Sequence, residues 1–128
     1  MPGTAHEPHV VLVVDDDAAM REAMVAALAS AGVRTIAAAD GREALTALES
    51  GAIDPCLIVL DLRMPTMDGW EFREHQLRDR RLAAIPVVVV SSYADPRREA
   101  TSMGALAGMR KPIEVEEVSR LLAVTCRR

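Results

Sequence analysis

Short apolar runs rich in β-branched residues alternate along the whole chain with longer stretches of helical periodicity. The runs are Val10–Val14, Thr35–Ala38, Leu57–Leu60, Val87–Val90 and a poorer one at Ala107–Arg110. Continuous apolar runs of this length are typical of strands that are buried on both faces of a parallel sheet. The alternation therefore predicts an α/β domain in which five parallel strands are joined by crossover helices.

Five helices are predicted from apolar residues at three- and four-residue spacing and from local start and stop signals. They are expected to begin after Asp17, Asp40, Gly69, Asp95 and Pro112. The aspartates are expected to act as N-caps, and glycines at positions 32, 51 and 104 are expected to end the first, second and fourth helices. The third helix is predicted to run to about Arg78, with Trp70 packed at its start.

The charge balance limits the possible partners of the chain. Its 128 residues carry 15 Lys plus Arg against 19 Asp plus Glu, a net charge of −4. This balance argues against nucleic-acid binding through phosphate neutralisation and against attraction to an anionic membrane. The apolar runs fall far short of the ~20 residues of a membrane helix, and the first nine residues lack the pattern of a secretory signal. We expect a cytoplasmic protein with a flexible tail at residues 1–8 and one domain at 9–128.

The two cysteines, Cys56 and Cys126, are too few for a disulfide framework or a zinc site. Cys56 opens an apolar run and is expected to be a small buried residue. Cys126 lies close to the end of the chain and is expected to be exposed. No specific role is predicted for either cysteine.

Polar side chains follow four of the five predicted strands at the point where each strand ends. They are Asp15 and Asp16 after the first strand, Asp61 after the third, Ser91 after the fourth and Lys111 after the fifth. In a sheet of order 2-1-3-4-5 these four strands are neighbours, and ligands bind beyond their carboxyl ends. Lys111 is the only lysine beside fourteen arginines, which indicates a need for a compact positive charge.

Several carboxylates at one edge of a sheet repel one another, and their pKa values rise unless a cation neutralises them. A cluster of oxygen ligands suits Mg²⁺, and a lysine supplies further positive charge. With a hydroxyl nearby, such a site can transfer a phosphoryl group, because one free carboxylate can attack phosphorus while the cations hold the other oxygens.

Five segments in this order resemble the receiver domain of bacterial response regulators, and the match runs from about Val10 to the end of the last helix. The segments are Val13–Asp17, Leu60–Pro65, Met67–Phe72, Pro86–Ser91 and Lys111-Pro112. The resemblance implies a flavodoxin-like, doubly wound (βα)5 fold with a five-stranded parallel sheet of order 2-1-3-4-5. It also implies a cis peptide bond between Lys111 and Pro112.

The resemblance implies roles for the site residues. Asp61 would accept the phosphoryl group, and Ser91 and Lys111 would contact its oxygens. Mg²⁺ would be held by Asp15, Asp16, Asp61 and the backbone carbonyl of Arg63. The donor would be a sensor histidine kinase or a histidine phosphotransfer protein. Output would pass to another protein without a fused output domain, from a monomer or weak dimer that is not a turnover enzyme.

Two departures from the family pattern concern signalling. Receivers usually carry Tyr or Phe three residues before the lysine, where this chain has Gly108, and the segment from Ser91 to Gly104 is about two residues shorter than usual. We therefore expect an intact phosphorylation site on a divergent signalling face. Arg63 and Tyr93 occupy positions that tune the lifetime of the phosphoryl group, and Tyr93 is expected to shield it from water.

Two alternatives remain open. Gly108 and the shortened segment favour a phosphorylation-independent binding module that keeps the fold without the chemistry. The pattern Asp15-x-Asp17 after an apolar strand also resembles haloacid-dehalogenase-type phosphatases, in which Asp15 would be the nucleophile. The short chain, the lack of a cap region and the unexplained Asp61 argue against this phosphatase.

Overall fold

The computed structural model describes residues 10–92 and 95–126. The strands are β1 (Val10–Val14), β2 (Arg34–Ala38), β3 (Leu57–Asp61), β4 (Val87–Ser91) and β5 (Ala107–Arg110). The helices are α1 (Ala18–Ser30), α2 (Gly41–Glu49), α3 (Gly69–Arg78), α4 (Arg80–Ala83), α5 (Pro96–Ser102) and α6 (Val115–Thr125). All strand pairs are parallel, and the sheet order is β2-β1-β3-β4-β5. The predicted fold class is confirmed.

Both faces of the sheet are covered by helices, as the continuous apolar strands predict. On β1, Leu12 and Val14 point into a core shared with α2, α3, α4 and α5, whereas Val11 and Val13 point into a second core shared with α1 and α6. Every residue of β3 and β4 is buried. No helix in the described part of the chain is long and apolar enough to cross a membrane.

The predicted N-caps Asp17, Asp40 and Asp95 are confirmed, and Asp68 caps α3 in the same way. Asp17, Asp40, Asp68 and Asp95 each accept a hydrogen bond from the backbone N–H three residues later. Such a cap stabilises a helix by about 1 kcal/mol. The fourth predicted helix, α5, ends at Ser102 rather than at Gly104. The short helix α4 was not predicted; Asp79 caps it, and it lies between α3 and β4.

Side chains of α3 tie it to α5. Arg73 is 7% exposed, and its guanidinium donates hydrogen bonds to the carbonyls of Met103 and Gly104, just after α5. Burial lowers the pKa of Arg73 from its ordinary value. Trp70 packs at the start of α3, as predicted, and its indole N–H donates to Glu99 on α5 over 2.9 Å. These contacts fix α5 beside α3 on one face of the sheet.

The expectation that Cys126 is exposed is wrong, and Cys56, which was expected to be buried, is partly exposed. Cys126 is 3% exposed and forms a disulfide with Cys56, with their Cα atoms 5.2 Å apart. The physical reason is the spacing on α6, where Val118, Leu122 and Cys126 recur every four residues and share the buried face. Cys126 therefore points inward, towards the start of β3.

Candidate functional site

Backbone hydrogen bonds continue beyond the carboxyl ends of the strands and fix the residues that follow them. The N–H of Leu62 donates to the carbonyl of Val90 over 3.2 Å, and the N–H of Lys111 donates to the carbonyl of Ser91 over 3.1 Å. The Lys111-Pro112 peptide bond is cis, as expected. The residues that were predicted to share one edge of the sheet are therefore held there by the main chain.

Three carboxylates form a cluster at this edge. Oxygen atoms of Asp15, Asp16 and Asp61 all lie within 4.8 Å of one another. Asp15 and Asp61 are only 2% and 5% exposed, whereas Asp16 is exposed to solvent. This all-oxygen donor set fits a hard divalent cation such as Mg²⁺.

The ammonium group of Lys111 bridges the two buried carboxylates. Its Nζ atom lies 2.8 Å from Oδ2 of Asp15 and 3.6 Å from Oδ2 of Asp61. Burial lowers the pKa of Lys111, but the hydrogen bonds and charges of Asp15 and Asp61 outweigh burial and raise it above its ordinary value. Lys111 therefore stays positively charged at neutral pH.

Asp61 has an unusual affinity for protons. Burial and the negative charge of Asp15 raise its pKa from 3.8 to about 6, against the lowering effects of Lys111 and of a hydrogen bond with the backbone of Arg63. Even so, the carboxyl group is mostly ionised above pH 7. It is therefore a buried carboxylate that can act as a nucleophile without a separate base.

The start of α3 lies directly behind Asp61. The N–H of Gly69 donates to the carbonyl of Leu62 over 2.9 Å. A Cβ atom at Gly69 would come within 2.7 Å of the carbonyl oxygen of Asp61 and 2.8 Å of Cα of Leu62. Only glycine allows this close approach, so position 69 contributes to placing the carboxylate.

Arg21 is a site residue that the sequence reasoning missed. Its guanidinium donates to the carbonyl of Asp15 over 2.7 Å, while the side chain of Asp15 accepts the N–H of Asp17 over 2.9 Å. A helix dipole disfavours a cation near the amino end of a helix. An arginine four residues after the cap at Asp17 is the signal that could have revealed this contact.

A cavity of about 280 Å³ opens onto the cluster. It is lined by Asp16, Asp17, Asp61, Arg63, Ser91, Ser92 and Lys111. Together with Asp15, which Lys111 contacts, every predicted site residue is therefore brought to one place. Tyr93 lies outside the described residues, so the shielding hypothesis stays a prediction.

The amino-acid sequence of the chain is similar to those of known proteins. The family model for the response regulator receiver domain matches residues 11–123. The chain is 42% identical over 120 residues to protein-glutamate methylesterase/protein-glutamine glutaminase 5 of Anaeromyxobacter dehalogenans, covering 87% of this chain and 31% of the relative. It is 34% identical to the two-component response regulator ORR11 of Oryza sativa subsp. indica, covering 94% of this chain and 82% of the relative.

A solved structure is similar as well. The chemotaxis protein CheY4 of Vibrio cholerae has a TM-score of 0.80 at 28% identity, covering 93% of this chain and 99% of that one. The first curated relatives are much longer proteins, of which this chain spans between 24% and 31%. The match with the methylesterase is thus confined to less than a third of that protein. The shared part is the receiver, and the chain belongs to the receiver-domain family of response regulators.

Proposed function

We propose that the chain is a phosphorylation switch in which Asp61 accepts a phosphoryl group from a phosphohistidine. The donor is a sensor histidine kinase or a histidine phosphotransfer protein. The observation that carries the proposal is the bridge from Lys111 to Asp15 and Asp61 at the buried strand ends. This bridge pairs an ionised carboxylate with a cation that can move to a phosphoryl oxygen.

The reaction needs little chemistry from the protein beyond positioning. A carboxylate oxygen of Asp61 attacks phosphorus, the bond from phosphorus to the donor's imidazole nitrogen breaks, and the imidazole leaves with a proton taken from solvent. Lys111 then pairs with one oxygen of the phosphoryl group, and the hydroxyl of Ser91 donates to another. The roles of Asp61, Lys111 and Ser91 are those expected from the sequence.

The donor set of the acidic cluster fits Mg²⁺, because it offers three carboxylates within 4.8 Å and no nitrogen or sulfur ligand. Asp15, Asp16, Asp61 and the backbone carbonyl of Arg63 would hold the ion. When bound, Mg²⁺ supplies the positive charge that neutralises the phosphoryl oxygens as negative charge spreads over them. Output then passes to another protein through surfaces that respond to the modified Asp61.

The test is the intact mass of the protein after incubation with acetyl phosphate, with and without Mg²⁺. We expect a single Mg²⁺-dependent phosphoryl adduct that is absent from Asp61→Asn. The matched control is Asp54→Asn, because Asp54 is an exposed carboxylate near the opposite end of β3 and should leave the adduct unchanged. A correctly folded wild-type protein that gains no adduct would contradict the proposal.

The second candidate is a binding module that works without phosphorylation. The contact that favours it is the packing of α5 on β5 at Gly108, where an aromatic switch residue has no place. In that case the chain would bind its partner equally well before and after treatment with acetyl phosphate. Membership of a signalling family argues against the phosphatase alternative.

A further inference from the structure

The disulfide lies at the end of the sheet opposite the acidic cluster. Cys56 immediately precedes β3, and Cys126 immediately follows α6. Asp61 is the last residue of β3, about 16 Å from Cys56 at ~3.3 Å per residue. The Cα separation of 5.2 Å is within the range that disulfides adopt. The cysteine pair is thus a separate chemical site on the strand that carries Asp61.

The disulfide attaches the carboxyl end of α6 to the sheet, where few other contacts stabilise that helix end. α6 has 11 residues and no side-chain hydrogen bond at its N-cap. Glu116 and Glu117 support its amino end through the helix dipole, but its last turn has no basic residue. Isolated helices shorter than ~12–15 residues are marginal in water, so α6 depends on its buried stripe. Cys126 is the last member of that stripe, after Val118 and Leu122.

We propose that Cys56 and Cys126 form a reversible thiol–disulfide latch that controls the docking of the last turn of α6. Its substrate class is a low-molecular-weight disulfide, for which glutathione disulfide is the probe. Cys56 is partly exposed and Cys126 is buried, so Cys56 reacts first.

The exchange has two steps. The Cys56 thiolate attacks one sulfur of glutathione disulfide, which forms a mixed disulfide and releases one glutathione thiolate. The Cys126 thiolate then attacks the Cys56 sulfur and releases the second. Two electrons pass from the cysteine pair to the reagent, and the two thiol protons end on the released glutathione molecules or in solvent. A small dithiol reverses both steps and frees the last turn of α6.

One side of α6 gives the latch a readout. Glu117, Arg120 and Leu121 line a cavity of about 540 Å³ between α5, β5 and α6. None of these residues lines the cavity at Asp61. Of these three residues Leu121 adjoins the last turn of α6, so release of that turn frees the edge of the cavity at Leu121 and leaves the acidic cluster in place.

The test compares the full chain after treatment with glutathione disulfide and after treatment with dithiothreitol. In the oxidised protein we expect neither cysteine to react with iodoacetamide, and the amides of residues 121–126 to exchange roughly tenfold more slowly than in the reduced protein. In the reduced protein Cys56 should be alkylated before Cys126. We also expect the oxidised form to melt several degrees higher.

Cys56→Ser and Cys126→Ala are the matched variants, and each should remove the difference between oxidising and reducing conditions. Cys56→Ser changes a partly exposed residue and serves as the measure if Cys126→Ala folds poorly. Equal exchange of α6 in the oxidised and reduced protein would overturn the proposal. So would oxidation that yields only intermolecular or glutathione-mixed disulfides.

Discussion

The backbone carbonyl of Pro96 packs directly against Gly108, so that a Cβ atom at position 108 would overlap it. The same Cβ atom would lie 2.8 Å from the backbone nitrogen of Arg97. The start of α5 therefore packs main chain against main chain on the strand position where the family has an aromatic residue. A change in α5 can reach β5 through main-chain contact alone.

Gly108→Ala should destabilise the protein by about 2–3 kcal/mol, because α5 or β5 must shift to admit one methyl group. Gly41→Ala is the comparison, since its Cβ atom would come no closer than 3.0 Å to Met67, partly to a flexible side chain. We expect it to cost less than about 1 kcal/mol. Urea unfolding at one pH measures both. Equal costs would show that the contact at Gly108 is not rigid.

The raised pKa of Asp61 predicts a pH-dependent stability in the absence of metal. Because the folded protein keeps the Asp61 proton up to about pH 6 and the unfolded chain releases it near 3.8, stability falls as pH rises through this window. Asn cannot ionise, so the free energy of unfolding of Asp61→Asn should rise relative to that of the wild type by up to about 3 kcal/mol between pH 4 and pH 7.5. Urea unfolding in EDTA across this range measures the gain. A difference that stays constant with pH would refute the shift.

Removal of the Lys111 charge should raise the pKa of Asp61 further above 6, because Lys111 is the cation that lowers it. Lys111→Met tests this, and Lys111→Arg keeps the charge as the control. The carboxyl carbon of Asp61 can be followed by NMR through a pH titration of metal-free protein. An unchanged midpoint in Lys111→Met would mean that Lys111 pairs with Asp15 alone.

The hydrogen bond from Trp70 to Glu99 should couple α3 to α5 by about 1–2 kcal/mol, because the acceptor is charged and partly buried. A double-mutant cycle of Trp70→Phe and Glu99→Ala, measured by urea unfolding, isolates this coupling. Additive effects of the two substitutions would indicate that the bond contributes nothing to the attachment of α5.

Arg73→Met should destabilise the protein by about 2–4 kcal/mol, since the buried side-chain oxygen of Gln76 and the carbonyls of Met103 and Gly104 lose their donor. Arg78→Met, on the exposed side of the same helix, should change stability by less than about 0.5 kcal/mol. Thermal or urea unfolding distinguishes the two. A mild effect of Arg73→Met would mean that water replaces the guanidinium.

The positions of Asp15, Asp61 and Lys111 could be predicted because two simple rules act together. Local pattern locates the end of each strand, and parallel topology brings those ends to one edge. Neither rule requires knowledge of side-chain packing. The roles of these residues, and those of Asp16, Ser91 and Arg63, stay predictions until the protein is phosphorylated.

Other contacts could not be predicted, because they depend on how distant elements pack. Arg73 has the sequence signature of an exposed helical arginine, and only the position of the turn after α5 makes it buried. Cys126 is 70 residues from Cys56, and their pairing depends on the side of the sheet that α6 covers. Gly108 was recognised as a missing aromatic residue, but the helix that fills its space became visible only in the structure.

The single lysine of the chain has a practical consequence for anyone who handles the protein. Lys111 carries the only side-chain amine, and it lies 2.8 Å from Asp15 within the acidic cluster. Amine-reactive dyes, cross-linkers and immobilisation resins can therefore attach only at the chain terminus or at the centre of the proposed chemistry. Chemical modification of the lysine side chain would therefore also inhibit the proposed phosphorylation. Conversely, an added ligand that protects this amine from reagents must occupy the site.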